Sequence, residues 1–290
     1  MNAAVFEGGG FNGAASQRRY TQTAREDVSL YSGDSIGAVL AYLNAIDDPA
    51  TVDGYWDQMS AKDLYRGGSW LDKALTLAGR RRGIYDMRPS LDTLRELVRG
   101  RRIRPGVTVA VTTADLRYSV RRVVHLTAKT PADECIRWVY RSTLVPVAHG
   151  ADENRWADGG VYGAAPIAPV VDLGADHVDV YLLNPIGVSG RWDGGNAISE
   201  ASRAVDSMRE ALIARDLEAT HARNVLPLPG DRDISITVHE PLSALPGWMD
   251  ASKPALSLRR AIKWQALTLN EAMVLQSARE AEAERRSLAG

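Results

Sequence analysis

Residues 28–42 read VSLYSGDSIGAVLAY, a pattern that predicts a short buried strand, a sharp turn and a buried helix. Gly33, Ser35 and Gly37 fit the pattern G-x-S-x-G, in which a serine stands on a tight strand-to-helix turn with its hydroxyl exposed. The flanking glycines have no side chain to clash in that turn, and the helix N-terminus just beyond favours a developing negative charge. Ser35 is therefore a candidate nucleophile, although the same pattern also occurs in ordinary glycine-rich turns.

A second strand, glycine loop and helix occupy the start of the chain. The apolar run at residues 3–6 is followed by EGGGFNG at residues 7–13. This loop satisfies the dinucleotide-binding pattern G-x-G-x-x-G, but the next strand follows too soon for the ~30-residue unit that such a site needs. Consecutive glycine N–H groups at a helix start bind anions, and beside a serine nucleophile they form an oxyanion hole. The alternative is a tight turn without a ligand. The candidate oxyanion-hole residues are Gly8, Gly9, Gly10 and Gly13.

The composition of the chain excludes several classes of protein. Its 290 residues are 45% hydrophobic and 24% charged with a net charge of −1, which is typical of a globular protein and indicates no nucleic-acid partner. The single cysteine, Cys135, excludes an internal disulfide and a cysteine-based zinc site, and we expect neither metal nor cofactor. No segment approaches the ~20 apolar residues of a membrane span, and the N-terminus does not resemble a signal peptide. We therefore expect a cytoplasmic protein that would meet a membrane only peripherally, from its surface.

Strands alternate with helices along most of the chain. Residues 107–113 and 120–126 predict a strand hairpin, and residues 178–183 and 234–239 predict two later strands. Helical stretches separate these strands, and no internal repeat or low-complexity linker divides them. We therefore expect an α/β fold, a single three-layer α/β/α domain with a mostly parallel central sheet.

The end of the chain predicts extra helices beyond that domain. We expect residues 1–250 to form the main domain and residues 251–290 to form a C-terminal helical extension that packs on it or projects from it. The same helices are candidates for self-association into a homo-oligomer. From Pro254 onward, apolar residues recur on one helical face: Leu258, Ile262, Ala266, Leu269 and Met273.

A basic amphipathic stretch covers residues 69–82. Trp70 and Leu71 lie on its apolar helical face, and three consecutive arginines end it at residues 80–82. Such a stretch can lie on an anionic lipid surface, which makes Trp70 and Leu71 candidates for a lid or a membrane interface. The interpretation that we favour is a helix packed on the core with a solvated basic end.

Four segments resemble, in this order, the motifs of the patatin-like phospholipase family. Residues 7–13 resemble its oxyanion loop, D-G-G-G-x-[RK]-G, and residues 33–37 resemble its nucleophile motif. Residues 142–146 resemble its S-x-x-x-P segment, and residues 158–160 resemble its D-G-[AG] motif. The ordered set spans residues 3–185, which makes the resemblance specific. Two positions depart from the family pattern, because Glu7 replaces an aspartate and Asn12 replaces a basic residue thought to support the oxyanion loop.

The resemblance implies a lipid acyl hydrolase of the phospholipase A type that acts on membrane phospholipid or another acyl-ester lipid without a cofactor. It implies a catalytic dyad in which Ser35 is the nucleophile and Asp158 is the general base. A serine hydroxyl is a weak nucleophile until a neighbouring base takes its proton, and the resemblance gives that role to Asp158. The glycines that flank the two motifs are Gly33, Gly37, Gly159 and Gly160.

Two alternatives differ from this mechanism. The first is the Ser–Asp–His triad of α/β-hydrolases, which has the same chain order; the candidate histidines are His177, His221 and His239. The second is a catalytically weakened lipid-binding or assembly module, which Asn12 and the C-terminal helices favour. His149, near the acid motif, is a further candidate for contact with substrate.

Overall fold

The computed structural model describes residues 1–146, 148–153, 155–163, 165–186, 197–225, 233–243, 245 and 253–289. The strands in these ranges are β1 (Asn2–Phe6), β2 (Val28–Gly33), β3 (Arg66–Gly67), β4 (Tyr85–Asp86), β5 (Thr108–Asp115), β6 (Val120–Thr127), β7 (Trp156–Asp158), β8 (His177–Tyr181), β9 (Ser235–Pro241) and β10 (Trp264–Thr268). The helices are α1 (Gly13–Thr23), α2 (Ile36–Ile46), α3 (Pro49–Gln58), α4 (Ala61–Leu64), α5 (Trp70–Leu77), α6 (Arg88–Leu97), α7 (Ala132–Ser142), α8 (Ala168–Asp172), α9 (Ala197–Val225), α10 (Lys253–Ala261) and α11 (Leu269–Ala289). The four strands predicted after residue 100 are confirmed to within two residues at each end.

A mixed sheet of eight strands forms the centre of the molecule, in the order β10-β9-β8-β1-β2-β5-β6, with β7 also paired to β5. The strands from β9 to β5 along this order are parallel, whereas β6, β7 and β10 pair antiparallel at the margins. The parallel strands are almost wholly buried, as expected where helices cover both faces of a sheet.

Each face of the sheet has its own hydrophobic core. Ala4 and Phe6 of β1 join the cluster that α1, α2, α3, α6 and α7 cover. Ala3 and Val5 join the opposite cluster, which α8, α9 and α11 cover. Successive strand residues point to opposite faces, so one strand serves both cores. This arrangement confirms the predicted three-layer α/β/α fold with a mostly parallel sheet.

The direction of strand addition reverses beside β1. The chain proceeds from β1 to β2 and β5 on one side, then returns to place β8 and β9 on the other side. In open α/β sheets, ligands bind at the carboxyl ends of the strands near such a reversal. The carboxyl ends of β1 and β2 lead directly into the two glycine motifs, so the fold brings both motifs to this position.

The C-terminal segment differs from the continuous helix that its apolar period predicts. Residues 264–268 form β10, and Ala266 pairs with His239 of β9 instead of lying on a helix face. The unpaired edge of β9 offers a row of backbone hydrogen bonds, and this tertiary pairing outweighs the local helical pattern. The domain boundary at residue 250 lies outside the described residues and stays a prediction.

The basic amphipathic stretch also differs from the interpretation that we favoured. Its helix, α5, has no buried residue, so it is not packed on the core. Trp70 and Leu77 are 78% and 83% exposed. Within the described ranges, no helix has both the length and the hydropathy needed to cross a bilayer.

Candidate active site

The turn between β2 and α2 has the backbone geometry of a nucleophile elbow. Ser35 has a φ of 53° and a ψ of −130°, a conformation that costs a non-glycine residue on the order of 1–3 kcal/mol. A methyl group on Gly33 would lie 2.2 Å from the Gly37 carbonyl carbon, and one on Gly37 would lie 2.2 Å from the Phe6 carbonyl oxygen. Both glycines are therefore required by close backbone contact. The almost fully buried α2 holds the turn in place.

Ser142, the last residue of α7, fixes the backbone of Ser35. Its Oγ accepts a hydrogen bond from the Ser35 N–H at 2.9 Å and donates one to the Thr112 carbonyl oxygen at 2.6 Å. Ser142 is fully buried, so water does not compete for these bonds. In the sequence this serine belongs to a motif but has no assigned role, and in the structure it ties the elbow to β5.

The glycine loop lies directly against the elbow. A methyl group on Gly8 would come within 2.8 Å of Ser35 Cβ and 2.7 Å of Asp34 Oδ2. The Gly8 N–H donates to Asp34 Oδ1 at 3.3 Å. The Gly13 N–H donates to the carbonyl oxygens of Gly10 and Phe11, closing a short 3-10 turn at the start of α1.

Asp158 ends β7 and is 4% exposed. Its Oδ1 accepts the Gly160 N–H at 2.7 Å, and its own N–H donates to the Leu144 carbonyl oxygen at 2.9 Å. A methyl group on Gly159 would lie 2.2 Å from the Thr112 carbonyl oxygen, so this turn is pressed against the strand that also anchors Ser142. The turn that carries Asp158 and the serine that holds the Ser35 backbone thus both contact Thr112 of β5.

Asp34, a residue that the sequence did not predict to be functional, connects the glycine loop, the elbow and the acid turn. A methyl group on Gly160 would lie 2.9 Å from Asp34 Oδ2 and 3.0 Å from Asp158 Oδ1. The Asp34 carboxylate therefore touches both the glycine loop and the acid turn, while its backbone forms part of the elbow. Its side chain is 1% exposed. The one signal in the sequence is an acidic residue directly before the serine of G-x-S-x-G.

Two of the triad's candidate histidines belong to a different polar network. His239 Nε2 lies 3.2 Å from Asp179 Oδ1, and its Nδ1 accepts from Arg19 Nε at 3.3 Å. His177 Nε2 lies 2.7 Å from Arg25 Nη2. Burial raises the pKa of Asp179, but the hydrogen bond from His239 and the nearby positive charges outweigh it and hold that pKa below its ordinary value. These contacts of the two histidines are with Asp179, Arg19 and Arg25, and none of them involves Ser35.

The other two candidate histidines, His149 and His221, also have defined positions in the fold. His149 Nδ1 lies 3.1 Å from the Val145 nitrogen and 3.0 Å from the Thr143 carbonyl oxygen, and burial lowers the pKa of His149 to about 4. His221 lies within α9. Across the part of the chain that the structure describes, no cluster of three or more His, Cys, Asp or Glu side chains is arranged to hold a metal ion.

Comparison with known proteins places this site in context. Residues 4–171 match the family model described as Patatin-like phospholipase. No curated protein matches the chain. Among solved structures, the crystal structure of VipD from Legionella pneumophila is similar, with a TM-score of 0.39 and 11% sequence identity over 96% of this chain and 67% of that chain. The family match includes both glycine motifs, Ser142 and Asp158.

Proposed function

This chain belongs to the patatin-like phospholipase family, and from that premise we propose that it is a lipid acyl hydrolase of the phospholipase A type, with an acyl-enzyme formed on Ser35. One observation carries the proposal. The glycine loop and the acid turn meet at the elbow, since Gly8 leaves no room for a methyl group against Ser35 and Asp34, and Gly160 leaves none against Asp34 and Asp158.

In the proposed reaction, Asp158 accepts the proton of the Ser35 hydroxyl while the Ser35 oxygen attacks the ester carbonyl carbon. The resulting oxyanion is stabilised by backbone N–H groups of the glycine loop. When the tetrahedral intermediate collapses, the alcohol leaves with the proton that Asp158 returns, and the acyl group stays on Ser35. Asp158 then takes a proton from water as the water oxygen attacks the acyl-enzyme. It returns that proton to the Ser35 oxygen when the second tetrahedral intermediate releases the fatty acid.

The hydrogen bonds around the loop narrow the choice of oxyanion donors. The Gly8 N–H donates to Asp34, and the Gly13 N–H donates to carbonyl oxygens of the same turn. We therefore assign the oxyanion to the N–H groups of Gly9 and Gly10. Removal of one such donor commonly raises a barrier by ~3 kcal/mol, so this assignment accounts for a substantial part of the rate.

We propose that the protein reaches its lipid from the membrane surface through α5. The exposed Trp70 and Leu77 offer apolar area for the headgroup region. Arg81 is paired with Asp72, and the exposed Arg80 and Arg82 beside it suit anionic lipid. In the chain, this helix lies between β3 and β4, which pair antiparallel. The N–H of Tyr85, in β4, donates to the Ala148 carbonyl oxygen at 2.8 Å. Residue 148 belongs to the loop that leads to the acid turn, so α5 is tied to the site's surroundings.

The experiment that tests the proposal is labelling with a fluorophosphonate, followed by analysis of products from mixed liposomes. We expect wild-type protein to be labelled and to release free fatty acid and lysophospholipid, and Ser35→Ala to do neither. Ser29→Ala is the matched control, because Ser29 lies near the start of β2, at the opposite end of that strand from the elbow. Asp158→Asn should abolish ester turnover, whereas His239→Ala should retain it.

Other outcomes would favour the alternatives. Loss of turnover in His239→Ala or His177→Ala, with folding intact, would support the triad. A folded wild-type protein that binds liposomes but is neither labelled nor active on any acyl ester would support the non-catalytic module and contradict the proposed hydrolase.

A further inference from the structure

Arg259 is a fully buried arginine, with 0% of its surface exposed. It lies on α10, 247 positions after Asn12, and its Nε donates to Asn12 Oδ1 at 2.7 Å. Its guanidinium carbon lies 5.9 Å from the centre of the Phe11 ring. Arginine is almost never fully buried unless its donors are satisfied. This side chain therefore forms a specific polar link between the C-terminal segment and the residues that follow the glycine loop.

Asn12 transmits that link to the loop itself. Its backbone N–H donates to the Gly9 carbonyl oxygen at 3.2 Å. The peptide group between Gly9 and Gly10 is planar and trans, so the Gly9 carbonyl and the Gly10 N–H point in opposite directions from one rigid plane. Fixing the Gly9 carbonyl oxygen therefore fixes the direction of the Gly10 N–H.

Gly10 needs such a constraint. Its φ of 57° lies in the left-handed region, which glycine enters and leaves more freely than any other residue. An oxyanion donor contributes most when its direction is set before the reaction begins. A loop of three consecutive glycines has little intrinsic stiffness, so its geometry depends on contacts from outside the loop.

We propose that Arg259 is a positioning residue for the oxyanion hole, acting through Asn12 to orient the Gly10 N–H. The inference rests on the proposed acyl-hydrolase function. It gives Asn12, which stands where the family pattern has a basic residue, a role of its own, because α10 brings a guanidinium group into hydrogen-bond contact with the Asn12 side chain. Arg259 lies outside the matched residues 4–171, so the C-terminal segment becomes part of the catalytic apparatus.

The first experiment compares Arg259→Met and Arg259→Lys with wild type on a short-chain nitrophenyl ester. Outright loss of an oxyanion donor reduces kcat by ~100–1000-fold, so loss of its support should reduce kcat by about 10–100-fold in Arg259→Met. The value of KM should change by less than about twofold, because the ester binds before the oxyanion exists. Arg259→Lys keeps the charge and should retain more activity than Arg259→Met.

Arg279→Met is the matched control. Arg279 lies on the other C-terminal helix, α11, and its Nη1 donates to the Ile186 carbonyl oxygen at 2.7 Å and to Glu240 at 3.1 Å. Its loss should lower thermal stability while leaving kcat within about twofold of wild type. Circular dichroism and thermal melting identify the temperature at which all variants are folded. A folded Arg259→Met with wild-type kcat would overturn the proposal.

A relocation experiment separates positioning from general stability. Asn12→Arg alone should lower kcat, because two guanidinium groups would compete for one buried place. Combined with Arg259→Gln, the same substitution should recover at least about tenfold in kcat over Arg259→Gln alone, since the loop regains its cation. Failure of the pair to recover activity, with folding intact, would count against the proposal.

Hydrogen exchange tests the link between Arg259 and the glycine loop independently of enzyme activity. Amides of residues 7–13 should exchange faster in Arg259→Met than in wild type, while those of α2 stay protected. If wild-type protein proves inactive yet shows this difference, the proposed function fails but the link stands. Unchanged exchange in residues 7–13 would remove the basis of the inference.

Discussion

Replacement of Ser142 by alanine tests whether the elbow is held by the contact that the structure shows. The substitution removes the acceptor of the Ser35 N–H at 2.9 Å and the donor to the Thr112 carbonyl oxygen at 2.6 Å. Each lost hydrogen bond contributes about 1 kcal/mol net, and a buried group left without a partner costs about 1–3 kcal/mol. Two groups lose a partner, at about 1–2 kcal/mol each, so we expect the free energy of unfolding to fall by about 2–4 kcal/mol.

The effect on activity follows from the strain at Ser35. A φ of 53° at a serine persists only where its surroundings enforce it, and Ser142 supplies one of those contacts. We expect the Ser142→Ala variant to lose about 10–100-fold in kcat and in the rate of fluorophosphonate labelling. A misplacement of about 1 Å in a reacting group is enough for a loss of that size.

The assay combines urea unfolding with ester turnover at a temperature where the variant is folded. Ser16→Ala is the matched control, because Ser16 is fully buried and its Oγ has no hydrogen-bond partner among the described residues. That variant should be neutral or slightly stabilising and fully active. If Ser142→Ala is no less stable than Ser16→Ala and labels at the wild-type rate, the role that we give Ser142 is refuted.

Three further predictions concern other parts of the molecule. Gly37→Ala should abolish activity and destabilise the fold, since its methyl group would lie 2.2 Å from the Phe6 carbonyl oxygen. Gly54→Ala is the control, because Gly54 lies in α3 with open space around it, and it should raise the free energy of unfolding in urea by about 0.5–1 kcal/mol. The wild-type protein should sediment with anionic vesicles, and less so at high salt. The double substitution Trp70→Ser and Leu77→Ser should reduce that sedimentation and leave turnover of a soluble ester unchanged. Burial lowers the pKa of His149 to about 4, so the unfolded chain binds the proton before the folded protein does as pH falls. The free energy of unfolding should therefore decline from about pH 6.5 to pH 4, and His149→Gln should reduce that decline.

The local sequence determined the units from which this site is made. Glycine next to an apolar run indicates a turn between buried elements, and the spacing of Gly33, Ser35 and Gly37 specifies a tight elbow. The alternation of strands and helices determined the α/β class. These features are readable because turn preference and hydrophobic period are properties of the local sequence.

The tertiary structure alone decided which groups meet. Asp34 touches the acid turn, Ser142 holds Ser35, and Arg259 reaches Asn12 across most of the chain, yet none of these contacts leaves a local pattern. For the same reason, the sequence did not predict that α5 lies off the core or that residues 264–268 form a strand. A periodic pattern shows which face of a segment is apolar, but not what covers that face. The apolar face of α5 is exposed because no part of the described core covers it. Residues 264–268 form a strand because they pair with the edge of β9.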